Sequence, residues 1–183
     1  MRTLTLITVL LLFASSCSTK YETEIAKIDN WLVNLDSAKK QLHSMDTGLV
    51  YKRIVMSDKN LAIIFKTKDT IERSYAFLID DYANCKKLYG KIAQKFPSLF
   101  EEIETIPRQL ENLKTDLSKN LIEKEKVDGY MLNEGMAAEN IIRIIKESET
   151  SINNLDAVFN ESHEKILHLI QTLDDGDEND VES

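Results

Sequence analysis

"LFEEIETIPRQLENLKTDL", residues 99 to 117, decides the fold. Its apolar side chains fall at Leu99, Ile103, Ile106, Leu110, Leu113 and Leu117. Spacing that alternates between three and four lines one side of an α-helix, whereas a half-buried strand would repeat every second residue. The rhythm runs on past two polar interruptions, Asn120 and Lys124, through Val127, Met131, Glu134, Ala138, Ile141, Ile145, Ser148, Ile152, Leu155, Phe159, Ser162, Ile166, Leu169 and Leu173. Upstream it holds at Ile25, Ile28, Leu32, Leu35 and Leu42, with Lys39 out of pattern. It returns at Leu61, Ile64, Lys68, Ile71, Tyr75, Leu78, Tyr82, Cys85, Tyr89 and Ile92.

Composition points the same way. Of 183 residues, 43% are hydrophobic and 30% charged, while only 5 are Gly and 2 are Pro, so the chain resembles long helices and not linkers. Helices are predicted at about 20–46, 57–90, 98–127 and 130–173. The expected fold is all-α, an antiparallel four- or five-helix bundle with coiled-coil heptads.

The predicted breaks follow the few punctuating residues. Asp46-Thr47-Gly48 can end the first helix and Ser57-Asp58 can cap the second. Gly90 and Pro97 bracket the next turn, and Thr105 can act as an N-cap that puts Pro107 in a tolerant first turn. "VDGY", 127–130, is the candidate for the following turn, and Gly176 for the end of the last helix. At 1.5 Å per residue a helix over 130–173 would be about 65 Å long, so it either protrudes or breaks near "SETSINN", 148–154. "LVYKRIVM" at 49–56 is β-branched enough for a strand, and a hairpin over 49–65 competes with the helical reading.

The first 18 residues carry a different signal. Arg2 is followed by the ten-residue apolar run "LTLITVLLLF", Leu4 to Phe13, and then by Ala14-Ser15-Ser16-Cys17. A spanning helix needs roughly 20 apolar residues, so the run reads as an export signal and not as a membrane anchor. Small residues leading directly into a cysteine resemble the lipobox of bacterial lipoprotein precursors, with Ala14 where leucine is more usual. That resemblance implies removal of 1–16 as a signal peptide. It further implies a diacylglycerol thioether on Cys17 as the new N-terminus, with palmitate-type N-acylation. Ser18 in the next position implies delivery to the outer membrane, facing the periplasm or the cell surface. An ordinary secretory signal cut near Ser16, leaving a free Cys17 thiol, is the alternative.

The expected organisation is therefore a removed signal peptide at 1–16, a lipid-anchored N-terminus at 17–19, a helical domain at 20–173 and an acidic, solvated tail at 174–183. The tail "DDGDENDVES" holds six acids and no base. Setting those six aside from 31 acidic residues, and Arg2 from 23 basic ones, leaves 22 basic against 25 acidic over 17–173. No basic face for nucleic acid follows from that balance. With Cys17 acylated, Cys85 has no intramolecular partner, and its helical core position reads as a small buried hydrophobe.

His163 and His168 are five apart and point to different faces, while Glu164 and His168 share one; a di-metal bundle needs Glu-x-x-His from two helices, and the chain has none. Nucleophile-elbow, P-loop, dinucleotide and zinc-protease patterns are likewise missing from the sequence. Glu134 is the one carboxylate predicted in a seam, where it would fix register or, with a raised pKa, act as acid or base. Its neighbours Asn133 and Gly135 suggest local exposure. Trp31, Tyr75, Tyr82 and Tyr89 make aromatic stripes that read as core packing, with a binding groove as the alternative.

"RQLENLKTDL" (108–117) and "GYMLNEGMAAENI" (129–141) are similar to small helical lipoproteins of Gram-negative bacteria, a resemblance that carries no active residue with it. The expected function is non-enzymatic: an envelope protein tethered to the membrane at Cys17 that acts by protein interaction or structure, without cofactor or metal. A helical envelope chaperone or stress sensor is the alternative, and a metal-binding bundle or enzyme a further one. A protein partner is expected, and a homo-oligomer is open as well.

Overall fold

A computed structural model describes residues 20–67 and 72–179, with side chains to 174. The protein is all-α: five helices and no strand among the described residues. They are α1 (Glu22–Ser44), α2 (Thr47–Thr67), α3 (Arg73–Ala93), α4 (Phe96–Ser118) and α5 (Lys124–Asn179). The lipobox residues, Cys17 included, lie outside the described residues, as do Lys68, Ile71 and the last four of the acidic tail.

Most of the heptad seam read from the sequence is buried, while Ile25, Leu32, Tyr75, Leu78, Glu134, Ile152 and Leu155 are half-buried and Asn120 and Lys124 are exposed. Leu99, Ile103, Ile106, Leu110, Leu113 and Leu117 on α4 are all buried, as are Val127, Met131, Ala138, Ile141, Ile145, Ser148, Phe159, Ser162, Ile166, Leu169 and Leu173 on α5. Each such aliphatic side chain contributes roughly 1.5–3 kcal/mol by leaving water, which is why a polar sequence with so few punctuating residues still folds.

Several boundaries differ from expectation, each for a physical reason. The predicted helix over 57–90 is two helices, α2 and α3, and the hairpin alternative at 49–65 is replaced by α2. Asp46 caps that helix: its Oδ1 accepts the Leu49 backbone N–H at 2.8 Å, while Ser57 and Asp58 sit mid-helix. Proline 107 lies inside α4, whose continuous buried stripe outweighs the lost backbone bond, and the tolerant first-turn proline is Pro97. The turn expected at 127–130 comes earlier, at 119–123, and Gly129 is helical. Asn120 adopts φ 53°, the left-handed conformation, with Leu121 N–H to Asp116 O at 2.9 Å and Asn120 N–H to Leu117 O at 3.0 Å. That is a Schellman C-cap in which asparagine takes the usual place of glycine. Neither "SETSINN" nor Gly176 interrupts α5, which runs 56 residues.

The described residues group into two compact units. Unit one takes the chain to Ser37 together with Ile103–Ile142, and so contains most of α1, most of α4 and the first third of α5. Within it Asp29 pairs with Lys114 at 2.5 Å and the Trp31 indole donates to Glu139 at 3.4 Å. Gly135, expected near solvent, is buried beneath Trp31: a Cβ there would lie 2.5 Å from the indole Cζ2.

Unit two takes Ala38–Glu102 and the chain from Arg143. Its α2 and α3 are antiparallel, since Arg53 meets Tyr89 while Asn60 meets Tyr82. Its part of α5 runs parallel to α2, since Arg53 meets Asp156 and Asn60 approaches His163.

Candidate functional site

The densest chemistry among the described residues lies inside unit two, where α2, α3 and α5 each present polar groups at helical spacing. Arg53, Ser57 and Asn60 share one side of α2; Tyr82, Cys85 and Tyr89 share one side of α3; Asp156, Phe159 and His163 share one side of α5. Their meeting produces two rungs with an aromatic ring between them.

The first rung is closed on itself. Arg53 Nη1 donates to the Tyr89 hydroxyl at 2.7 Å and to Asp156 Oδ1 at 2.6 Å, and the Tyr89 hydroxyl donates to the same Oδ1 at 2.6 Å. Burial, and then the Asp156 carboxylate that accepts its proton, push the Tyr89 phenol far above the ordinary tyrosine range, with Arg53 opposing. Tyr89 is therefore a fixed donor at any physiological pH.

The second rung is directional. Asn60 Nδ2 donates to the Tyr82 hydroxyl at 3.1 Å, and that hydroxyl lies 2.7 Å from His163 Nδ1, which Asn60 Nδ2 also approaches at 3.5 Å. With Asn60 donating to it, the Tyr82 hydroxyl is free to donate onward, an arrangement satisfied when Nδ1 carries a lone pair and the neutral imidazole keeps its proton on Nε2. Burial, reinforced by the Arg53 charge, lowers the His163 pKa below its ordinary value, while Glu164 works the other way. Burial raises the Tyr82 phenol, against the polar groups of Ser57 and Asn60. Ser57 itself is fully buried beside Tyr82, and among the described residues no group lies in good hydrogen-bond geometry with its hydroxyl.

Phe159 joins the rungs. Its ring stacks on Tyr82 at 5.3 Å and on His163 at 5.1 Å, meets Tyr89 edge-on at 5.8 Å, and lies 4.8 Å from the Arg53 guanidinium. The cation over the ring adds attraction that rises as water is excluded. The arrangement can hold a neutral imidazole against a protonated phenol. It presents no activated nucleophile: Cys85 is buried, and burial followed by the nearby Asp81 raises its thiol pKa, which keeps it protonated.

The remaining residues singled out from the sequence are dispersed. Tyr82 and Tyr89 are fully buried, whereas Trp31 and Tyr75 are half-buried. Glu134 is half-buried and lines a hollow of about 470 Å³ at the α4–α5 turn, with Leu113, Asp116, Leu121 and Tyr130. His168 and Glu164 line a second hollow of about 530 Å³ with Ser74 and Tyr75, consistent with their i,i+4 spacing. His43 is exposed, with its ring 5.4 Å from Phe100. Among the described residues no three His, Cys, Asp or Glu side chains converge as a metal site, and no helix is long and apolar enough to cross a membrane.

Sequence reasoning missed Arg53, Ser57, Asn60 and Asp156. The signal was there in part: Val50, Arg53, Ser57, Asn60 and Ile64 keep the three-four rhythm once polar residues are admitted to it. Comparison with protein-family models, with curated proteins and with solved structures finds no match for the chain.

Proposed function

We propose that the chain is a lipid-anchored protein of the bacterial cell envelope whose helical part works without catalysis, by holding a protein partner or by a structural role. One observation carries the reading: an apolar run of ten residues, Leu4 to Phe13, ends in Ala14-Ser15-Ser16-Cys17. Residues 1–16 are then removed and Cys17 is the acylated N-terminus, delivered to the outer membrane. Two or three acyl chains at ~0.8 kcal/mol per buried methylene make a lasting tether where one would not. The non-enzymatic half is supported by the core of unit two, where Arg53, Tyr89 and Asp156 are committed to one another and Cys85 is buried and protonated.

Expression of the full chain in a Gram-negative host with an alkyne fatty acid tests the anchor. Label and intact mass should both place the lipid on Cys17, and Cys17→Ala should abolish labelling and leave an uncleaved precursor. A mature protein starting near Cys17 with a free thiol would sink the proposal. Site-specific photo-crosslinking in the same cells tests the partner; no reproducible adduct from any of a dozen or so surface positions would remove that half.

A chaperone role is the second reading, favoured by exposed apolar side chains such as Phe65, Phe77, Leu132 and Met136. It requires suppression of client aggregation at stoichiometric protein, and an inert result disposes of it.

A further inference from the structure

We propose that the Tyr82–His163 hydrogen bond is an acid-operated latch. With His163 neutral it fastens this part of α5 to α2 and α3 within unit two, and protonation at Nδ1 releases it. The inference rests on the two rungs alone and stands whether or not Cys17 is acylated.

Geometry makes the latch sensitive to one proton. Nδ1 lies 2.7 Å from the Tyr82 hydroxyl and 3.5 Å from the Asn60 amide nitrogen, so with the imidazole neutral Tyr82 donates to it, and a proton added there faces the amide NH2 and a hydroxyl that must reverse. Tyr82 could accept from an Nδ1–H only by turning its own proton away, and the buried Ser57 hydroxyl beside it is the neighbouring group that could take it. Even then the imidazolium would share the Phe159 ring with Arg53: the imidazole is 5.1 Å and the guanidinium 4.8 Å from its centre. Two like charges on one ring in a poorly solvated site repel.

The surrounding charges do not rescue it. From α2 comes Arg53, with Asn60 and Ser57 uncharged. From α3 come Tyr82 and Tyr89, both held protonated, and Cys85, neutral for the same reason of burial. The exposed Lys86–Asp58 pair joins the same two helices. On α5, Asp156 is engaged by Arg53 and Tyr89, which leaves Glu164, exposed to solvent, as the carboxylate that favours the cation.

Because the folded-state pKa lies below the unfolded value of 6.5, the latch contributes its full stability above that pH and loses it as pH falls through the lowered midpoint. The solvent-facing course for the charged ring is outward, since His163 is only half-buried.

Nuclear magnetic resonance of the full chain, with hydrogen exchange corrected for intrinsic rates, tests this from about pH 7.5 to about pH 5. The His163 ring should titrate below 6.5, and protection of amides 156–170 should fall about tenfold for each unit of that depression. Amides 131–141, in unit one, should not respond. In His163→Gln the side-chain carbonyl can still accept from Tyr82 but does not titrate, so the fall should vanish; His168→Gln should keep it. Tyr82→Phe should move the His163 midpoint upward toward 6.5. A His163→Gln chain with an undiminished pH response overturns the proposal, as does a native His163 titrating at or above 6.5. If His163→Gln does not fold, the Tyr82→Phe midpoint decides, and an unmoved midpoint overturns it.

Discussion

Unit one and unit two solve the same packing problem with different side chains. Tyr21 apart, the core of unit one is aliphatic: Ile28, Leu35, Ile103, Ile106, Leu110, Leu117, Ala138 and Ile141 are each at most 5% exposed. Every buried polar or charged residue among those described, Arg53, Ser57, Asn60, Ser148 and Ser162, lies in unit two, beside the fully buried Tyr82 and Tyr89. An aliphatic seam is held by area and shape, and neighbouring heptad registers differ little in what they bury. A polar rung is satisfied in one register alone, since a slip of one turn leaves a guanidinium or a carboxylate without its partner. Unit one is thus specified by packing, and unit two by packing plus a code of hydrogen bonds.

The largest expected break in that contrast is Arg53→Met. It keeps the volume but takes the counter-charge from Asp156, which is left with the Tyr89 proton alone, and the donor from the Tyr89 hydroxyl; losing one member of a buried pair costs about 3–5 kcal/mol. Asp156 keeps 28% exposure, so water can take over part of the solvation and the loss should fall near the lower end, about 3 kcal/mol. Urea unfolding should show it. The double variant Arg53→Met with Asp156→Leu should recover much of the loss, because an apolar pair can replace a buried ion pair at little cost. A double variant no better than the single one would mean that the pair is needed for more than satisfying its own charges.

Next in size is Tyr82→Phe, which removes one hydroxyl and leaves Asn60 and the His163 Nδ1 facing a hydrocarbon edge. Each buried group left unsatisfied costs about 1–3 kcal/mol, and with His163 half-buried and able to turn to water the expected loss is about 1.5 kcal/mol. A cost of a few tenths would mean that the second rung adds little to the stack on Phe159.

The legibility of the two units from sequence follows the same division. The stripe from Leu99 to Leu117 could be read directly, because in an aliphatic core the hydrophobic period and the buried period are one. The segment 49–56 could not, because α2 buries Arg53 and Ser57 where the period calls for apolar residues, and what stood out instead was β-branched Val50, Ile54 and Val55. Tyr82 and Tyr89 were found as core positions, but their partners Arg53, Asn60 and Asp156 carry the signature of a solvated face until three helices are brought together. The Asn120 cap escaped for a smaller reason: asparagine in the left-handed conformation is a rarer signal than the glycine nine residues on, which proved helical.

Gly135→Ala reverses the usual sign in unit one. In an exposed helix the change is favourable by about 1 kcal/mol. Here the new Cβ would lie 2.5 Å from Trp31 Cζ2 and 2.6 Å from Cη2, and crowding of this kind costs about 1–3 kcal/mol. The net expectation is a loss of about 1 kcal/mol, with a shift in the emission of the chain's one tryptophan as the indole is displaced from its place above Gly135. Stabilisation with unchanged emission would show that Trp31 moves aside freely and that the close approach is not part of the unit-one core.

The smallest effect is expected at Lys114, and it sharpens the contrast most directly, because unit one also has an ion pair. Lys114 Nζ lies 2.5 Å from Asp29 Oδ1, and that hydrogen bond raises the lysine pKa, yet both side chains stand in solvent, 34% and 51% exposed against 9% for Arg53. Water and salt screen such a pair, and ordering two flexible chains offsets most of what remains. Lys114→Ala should leave the urea midpoint unchanged within error at physiological ionic strength, where Arg53→Met shifts it plainly. Equal shifts for the two variants would refute the division of the molecule into an aliphatic and a polar core. It is burial of the charge, and not closeness of the partners, that makes the Arg53 rung a determinant of register.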